Sequence, residues 1–309
     1  MTQTDNPQLG QAAVQLTSPG DDDLRLWSVT TIIDILDKRG LMYWAAGLTA
    51  DAAMDNEKTW KAMLEEQGRD EAWKWLRNAF NRRPKNMLSA SDLGTVAHSV
   101  CEHYALTGTK PDEEFVREAL WRKGGEFIDL DSEAGVVLQM LDRFDAWLQQ
   151  FQPSYQATEV CVYSPTYGYA GQCDAFLTID GVRFIVDYKS SREPFDGQGR
   201  PKTPYPEQVG LQLAAYRNAE MAAVWRPRRF EQFRRRYYAL SPAEQELAVP
   251  VPEVDTGLVI MLTTHACDAY PIRCDEEVHM SFLYCLEMAR WVNETSKTVL
   301  GEPLTPETK

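Results

Sequence analysis

The spacing of hydrophobic positions changes near Pro153 and divides the chain into a helical half and a mixed half. Before this proline, apolar residues recur every three or four positions, which is typical of amphipathic helices. The predicted helical segments begin at Ser28, fill 41–80 with two or three helices, and then cover 91–106, 112–121 and 132–151. The first half of the chain is therefore predicted to be helical.

Alternating apolar and β-branched residues follow Pro153 and predict strands. The predicted strands cover 158–164, 172–179, 182–189, 258–266 and 269–274, with helices over 206–224 and 276–296. Asp180-Gly181, between the second and third strands, is a strong signal for a tight hairpin turn. This order of elements predicts an α/β fold with a helical N-terminal elaboration.

Composition predicts four segments along the chain. They are a disordered acidic tail (1–24), a helical N-terminal region packed on the core (25–90), the core itself (91–297) and a C-terminal tail (298–309). No uncharged apolar run approaches the 18 residues that a membrane span needs, and no basic segment leads into an apolar run at the start. We therefore expect a cytoplasmic protein without a membrane partner.

The net charge of −14 disfavours a nucleic-acid partner when it is taken alone, because affinity for a duplex depends on cations that neutralise phosphates. Its distribution changes this picture. Residues 1–24 carry −4 and residues 241–309 carry −8, whereas residues 183–239 carry +6. The total charge therefore does not exclude DNA.

Basic residues interleave with aromatic ones in 73–85 and again in 225–238, and further basic residues follow the strand predicted over 182–189. Arginines can bind phosphates while rings stack on unpaired bases. The predicted DNA-binding residues are Arg192, Arg200, Lys202, Arg226, Arg228, Arg229, Arg234, Arg235 and Arg236. The alternative is a solvated helix face whose aromatic side chains turn into the core.

Three separated segments carry candidate catalytic groups. His98 and Glu102 are four residues apart on a predicted helix and share a face. Asp174 begins one strand, whereas Asp187 and Lys189 lie two apart on its hairpin neighbour and point to the same side. Each residue also has a structural interpretation, as a surface ion pair, a turn cap or a buried histidine.

Together these groups fit the hydrolysis of phosphodiester bonds. Carboxylates suit hard cations such as Mg²⁺ or Mn²⁺, and Asp174 and Asp187 can converge on one ion that polarises the phosphate. Lys189 can orient the attacking water and offset the developing negative charge. His98 adds a nitrogen ligand or positions a second ion or water.

Four motifs in order resemble a known family. They are G-x(3)-H-x(3)-E at 94–102, G-x-x-D at 171–174, D-Y-K-S at 187–190 and Q-x(3)-Y at 212–216. Together they resemble the RecB-type branch of the PD-(D/E)xK nuclease superfamily, which includes phage and CRISPR-associated exonucleases. The resemblance covers roughly residues 90–295 and implies a PD-(D/E)xK core, with a central mixed β-sheet flanked by helices.

The resemblance implies roles for residues within these motifs. It makes Asp174, Asp187 and the main-chain carbonyl of Tyr188 metal ligands, Lys189 the catalytic lysine and His98 a further metal ligand. It also makes four residues accessory to the site: Glu102, Glu159, Gln212 and Tyr216. Tyr216 is equally well interpreted as a core aromatic and Glu159 as a solvated strand residue, whereas Glu102 can simply hydrogen-bond His98 or a neighbouring base.

By resemblance, the expected activity is a Mg²⁺- or Mn²⁺-dependent DNA exonuclease with two ions. We expect it to be phage-encoded, to work in the host cytoplasm in replication, recombination or repair, and to need DNA with a free end and at least partly single-stranded. Two alternatives stay open: a DNA-binding recombination accessory module with weak catalysis, and a restriction-type endonuclease of the same fold. Polarity, selectivity between DNA and RNA, oligomeric state and protein partners are not predicted.

Several relatives in this branch hold a [4Fe–4S] cluster with one cysteine before the core and a tight trio near the C-terminus. Here the last three cysteines, Cys267, Cys274 and Cys285, are widely spaced, and no cysteine precedes the helix that carries His98. We therefore expect no iron–sulfur cluster.

Overall fold

The computed structural model describes residues 22–36, 39–78, 86–223, 228–232 and 235–303. Nearly all of the predicted N-terminal tail lies outside these residues, and the predicted C-terminal tail is described only as far as residue 303. No helix within the described ranges is long and apolar enough to cross a membrane.

Ten α-helices occur in the described residues. They are α1 (Val29–Ile33), α2 (Arg39–Asp55), α3 (Glu57–Glu66), α4 (Arg69–Arg77), α5 (Ala90–Thr107), α6 (Glu113–Gly124), α7 (Leu130–Phe151), α8 (Pro206–Arg217), α9 (Pro242–Glu246) and α10 (Glu276–Asn293). Side-chain oxygens of Ser89, Asp112, Asp129 and Asp275 accept backbone N–H groups at the starts of α5, α6, α7 and α10. Gly108, in the left-handed conformation, ends α5.

The same residues contain ten strands. They are β1 (Leu24–Ser28), β2 (Ser154–Ser164), β3 (Tyr169–Ile179), β4 (Val182–Ser191), β5 (Met221–Ala223), β6 (Arg228–Gln232), β7 (Arg235–Leu240), β8 (Val249–Pro250), β9 (Thr256–Thr263) and β10 (Cys267–Ile272). The main path of the sheet runs β10-β9-β4-β3-β1-β7-β6. Off this path, β2 pairs with β3, β5 pairs with β2, and β8 pairs with β5. Two pairings are parallel, β1 with β3 and β4 with β9, and the rest are antiparallel.

Helices cover both faces of this sheet. Helices α1, α8 and α10 enclose one hydrophobic cluster, around residues such as Leu213 and Phe282. Helices α5, α6 and α7 enclose a second cluster on the other face, around Phe144 and Val186. The predicted α/β fold, a central mixed sheet flanked by helices, is therefore confirmed.

Several predicted elements appear where the hydrophobic pattern placed them. Three helices, α2 to α4, occupy the region that was predicted to hold two or three. The β3–β4 hairpin turns at Asp180 and Gly181, whose φ angles of 49° and 83° fit a tight turn of the right twist. The β9–β10 hairpin also forms as predicted.

Other predictions of secondary structure were wrong. Residues 25–28, predicted as part of a helical region, belong to β1, which lies inside the main sheet because β3 and β7 both pair with it. Helix α8 ends at Arg217, and 221–223 form a strand rather than the end of that helix. The arginine-rich segment around 228–240 forms the β6–β7 hairpin, not a helix face.

The N-terminal helices differ in how they contact the rest of the chain. Helix α1 buries Val29 and Ile32 in the cluster beneath α8 and α10. Helices α2 to α4 contact mainly one another, and none of their described side chains joins the three hydrophobic clusters of the sheet. Within these three helices, Ala72 is the one described side chain that is buried.

Candidate active site

A cleft of about 590 Å³ opens between α5 and the carboxyl end of β4. Its lining residues are Ser91, Gly94, Thr95, His98, Ser99, Glu102, Glu159, Tyr188, Lys189 and Ser190. The helix lies against the strand at Gly94, where a Cβ atom would come within 3.2 Å of the Ser190 hydroxyl oxygen. Because of this close approach, His98 of α5 and Lys189 of β4 line the same cleft.

The β3–β4 hairpin places the two predicted aspartates side by side. Ala175 pairs with Val186, so the preceding Asp174 lies beside Asp187. Asp187 is only 3% exposed. The Asp174 carboxylate accepts a hydrogen bond of 2.5 Å from the Tyr188 amide. Burial and the Asp187 carboxylate hold the pKa of Asp174 well above its usual range, because two adjacent buried carboxylates repel each other when both are charged.

Gln212 of α8 connects the charged groups of β4. Its amide nitrogen donates to Asp187 Oδ1 at 2.8 Å, and its amide oxygen lies 3.4 Å from Lys189 Nζ. The same nitrogen donates to the Tyr216 hydroxyl at 3.0 Å. Tyr216 is buried, as its interpretation as a core aromatic requires. Its hydroxyl also contacts Gln212, which is hydrogen-bonded to the charged groups of β4.

Lys189 is a positively charged partner of Asp187. Its Nζ lies 2.5 Å from Asp187 Oδ2, as expected for residues two apart on one strand. Burial lowers the pKa of Lys189, but the attraction of Asp187 and Asp174 outweighs it, and the pKa is raised above its ordinary value. The side chain is therefore an ammonium ion at neutral pH.

His98 faces the same cleft in its neutral form. Burial lowers the pKa of His98 to about 4, although the nearby Asp187 carboxylate opposes this shift. At neutral pH the imidazole therefore keeps a nitrogen lone pair, which a metal ligand or hydrogen-bond acceptor requires. The centroid of its ring lies 5.8 Å from the centroid of the Tyr188 ring. The Tyr188 hydroxyl is in turn hydrogen-bonded to the Tyr155 hydroxyl at 2.7 Å.

Two glutamates complete the lining of the cleft. Glu102 accepts a hydrogen bond of 3.0 Å from the Thr158 hydroxyl, not from His98. Glu159, within β2, has a φ of 53°, which is uncommon for a residue with a side chain. Its carboxylate lies close enough to Asp174 to raise the pKa of that group further.

Gln172 has a role that sequence reasoning missed. Its amide nitrogen donates to Glu159, and its amide oxygen accepts from Arg229 of β6. The only sequence signal was its place inside the G-x-x-D motif, where the predicted role belonged to the aspartate. The structure thus links a predicted DNA-binding arginine to a predicted accessory glutamate.

Gly171 of the same motif makes room for Tyr216. A Cβ atom at position 171 would lie 2.2 Å from Tyr216 Cε1, a distance that requires the ring to move. We expect Gly171→Ala to destabilise the fold by about 1–3 kcal/mol and to weaken the hydrogen bond between Gln212 and the Tyr216 hydroxyl. Urea unfolding measures the first effect and the cleavage rate measures the second.

Gly210→Ala is the matched control for this substitution. Gly210 lies within α8, and its added Cβ would meet only Val278 Cγ1 at 3.9 Å. Alanine is a better helix former than glycine, so this variant should be as stable as the parent or more stable by about 0.5–1 kcal/mol. Equal stability of the two variants would show that Tyr216 does not need the space at position 171.

The structure gives Arg192 a role within the protein. It was predicted to bind DNA, but its guanidinium makes two hydrogen bonds, of 2.9 and 2.8 Å, to the carboxylate of Glu133. Glu133 is fully buried in the first turn of α7. A buried carboxylate needs such a partner, so Arg192 stabilises the fold, and its contact with DNA stays a prediction.

The other predicted DNA-binding residues differ in their surroundings. Arg200 is exposed and pairs with Asp196, and Lys202 is half-buried in the same loop. Arg228 pairs with Asp23 and Glu244. Arg229 and Arg236 are exposed on the β6–β7 hairpin, and the Arg229 guanidinium lies 5.0 Å above the Tyr238 ring. Arg226, Arg234 and the side chain of Arg235 lie outside the described residues.

The donor set at this site fits a hard divalent cation. Asp174 and Asp187 are adjacent carboxylates, the first half-buried and the second buried, and a cation between them would offset the repulsion that raises the pKa of Asp174. Within the described part of the chain, no three His, Cys, Asp or Glu side chains already stand close enough together to hold an ion.

Two adjacent carboxylates beside a lysine that lines a cleft at a strand end are the groups that a metal-dependent phosphodiesterase needs. The family model of the PD-(D/E)XK nuclease superfamily matches residues 68–279, which is more than half of the chain. The chain belongs to the PD-(D/E)XK nuclease superfamily. Nucleases of this superfamily generally use divalent metal ions and act on DNA.

Other comparisons add little. No curated protein matches the chain in sequence. Among solved structures, SSO0001 is 15% identical, and the match covers 78% of this chain and 88% of that one. Its TM-score of 0.27 is too low to support any conclusion.

Proposed function

We propose that this protein is a metal-dependent DNA exonuclease of the RecB-type branch, encoded by a phage and working in DNA replication, recombination or repair. The observation that carries the proposal is the network that joins Asp174, Asp187, Lys189 and Gln212 at one end of β4. Gathering these charged groups where they lose hydration costs free energy, which favours a functional role for them.

When bound, two Mg²⁺ or Mn²⁺ ions would supply positive charge at the scissile phosphate and an activated water. Asp174, Asp187 and the main-chain carbonyl of Tyr188 would hold them. His98 provides a neutral nitrogen ligand, since its pKa of about 4 keeps it unprotonated at neutral pH. The Lys189 ammonium orients the attacking water and offsets negative charge as the phosphate reacts.

The accessory residues act through these groups. Gln212 orients Asp187 and Lys189 with its two amide ends, and Tyr216 fixes the amide of Gln212. Glu102 and Glu159 line the cleft and add negative charge for binding cations or water.

Exposed arginines near the cleft bind the DNA strand. Arg229 is the best placed, because Gln172 and Glu159 connect it to the site and its guanidinium lies over Tyr238. Arg236, Arg200 and Lys202 extend the positive surface along the β6–β7 hairpin and the loop after β4. The substrate in this proposal is DNA with a free end and at least partly single-stranded.

A time course on labelled DNA tests this function. Linear single-stranded and duplex DNA, labelled at the 5′ or the 3′ end, should be degraded with Mg²⁺ or Mn²⁺ and stay intact with a chelator. Closed circular DNA of the same sequence should survive, because an exonuclease starts from a free end. The order in which the two labels are released gives the polarity.

Each alternative predicts a different outcome. Discrete cuts in the closed circles would indicate a restriction-type endonuclease and overturn the exonuclease proposal. Binding of DNA without cleavage under every metal condition would indicate an accessory module instead. Equal cleavage with chelator present would exclude a metal-dependent reaction.

A further inference from the structure

An apolar row runs along the outer surface of α10, on the side that does not face the core. It consists of Met280, Tyr284, Met288, Trp291 and Val292, which are between 42% and 67% exposed. Their spacing of three or four residues places them on one face over three turns. Single exposed apolar residues are ordinary, but a contiguous row marks an interaction surface.

The position of this row leaves the candidate active site open. Helix α10 packs through Phe282 and Leu286 on α8 and α1, in the layer on one face of the sheet. Helix α5, which lines the cleft, packs on the opposite face. A partner on α10 therefore does not cover the cleft.

The charges beside the row indicate the chemistry of the partner. Glu276, Glu287 and Glu294 are separated by 11 and 7 residues, which brings them to one border of the row. Glu276 and Glu294 make no ion pair with any described residue, whereas Glu287 pairs with Arg290. An antiparallel second copy would place this acidic border against itself, which like charges oppose.

We propose that the row on α10 binds a basic amphipathic helix of another protein. Methionine side chains adapt to the surface of an incoming helix, while Trp291 and Tyr284 supply the large aromatic anchors that dominate binding energy. Lysines or arginines beside the apolar residues of the partner meet Glu276 and Glu294. This interaction does not depend on the nuclease reaction.

A designed peptide tests the surface directly. The probe is an 18-residue helix of leucine, lysine and alanine with its leucines on one face and lysines along the borders, labelled for fluorescence anisotropy. We expect the double variant Tyr284→Ala, Met288→Ala to bind it at least tenfold more weakly than the parent. Glu276→Gln with Glu294→Gln should also weaken binding and make it less sensitive to salt.

Three controls keep the result specific. Leu247→Ala removes an equally exposed apolar residue elsewhere on the surface and should leave the affinity unchanged. A peptide of the same composition with its leucines spread around the helix should bind poorly. Cleavage of linear DNA by the Tyr284, Met288 double variant should equal that of the parent, which separates this proposal from the proposed function.

Two outcomes would overturn the proposal. The first is equal affinity of the parent and the Tyr284, Met288 double variant for the probe. The second is a dimer in light scattering that dissociates in that double variant, since the occupant would then be a second copy.

Discussion

Asp187→Asn should lower the rate of metal-dependent DNA cleavage by on the order of 10³-fold, because it removes one negative charge from the site while keeping the shape of the side chain. The fold should survive, since Asp187 is a buried carboxylate beside Asp174 and an amide is easier to bury. Cleavage of end-labelled DNA measures the rate. Thermal unfolding with and without Mg²⁺ measures whether the stabilisation by bound metal is lost.

Asp180→Asn is the matched control, because it makes the same chemical change in the same hairpin. Asp180 lies in the turn with a φ of 49°, a conformation that asparagine tolerates well. This variant should cleave DNA at the parental rate and keep its Mg²⁺-dependent stabilisation. If Asp187→Asn behaved in the same way, Asp187 could not be a metal ligand.

Glu133→Ala should destabilise the protein by about 3–5 kcal/mol, because it leaves the Arg192 guanidinium without its buried partner. The loss should be visible as a lower midpoint of urea unfolding with an unchanged slope. The double variant Glu133→Leu, Arg192→Met should recover much of the stability, since apolar side chains can replace a buried ion pair.

The exposed pair of Glu118 and Arg122 on α6 provides the comparison. Glu118→Ala removes the same type of side chain from a helix surface, where such a pair contributes about 0.3–0.5 kcal/mol. If the two alanine variants lost equal stability, the burial of Glu133 would have no energetic consequence.

The hydrophobic pattern was sufficient for elements whose signals are local. The β3–β4 hairpin carries alternating apolar residues and an Asp-Gly turn, and α5 has a capping serine at one end and a glycine at the other. These signals need no distant partner. The order of the four motifs also brought His98, Asp187 and Lys189 into one expected site, and in the structure these three side chains lie near one another.

Other features depend on residues that are far apart in the sequence. LRLWS at 24–28 forms a strand only because β3 and β7 offer it two open edges. In the sequence, Glu133 is an ordinary acidic residue at the start of a helix. Only the structure shows that Arg192, which directly follows β4, is its partner. Gln212 could be placed on the site's helix from its motif, but its contacts with both Asp187 and Lys189 require the fold.

The central position of β1 also constrains the order in which the chain assembles. Leu24 pairs with Leu240, and Trp27 pairs with both Tyr169 and Tyr237. A strand near the start of the chain must therefore wait for segments made much later, and each such pairing closes a long loop at an entropic cost. During synthesis, one edge of β1 stays unpaired until β7 has left the ribosome, so this strand cannot complete its pairing before residues 235–240 are made.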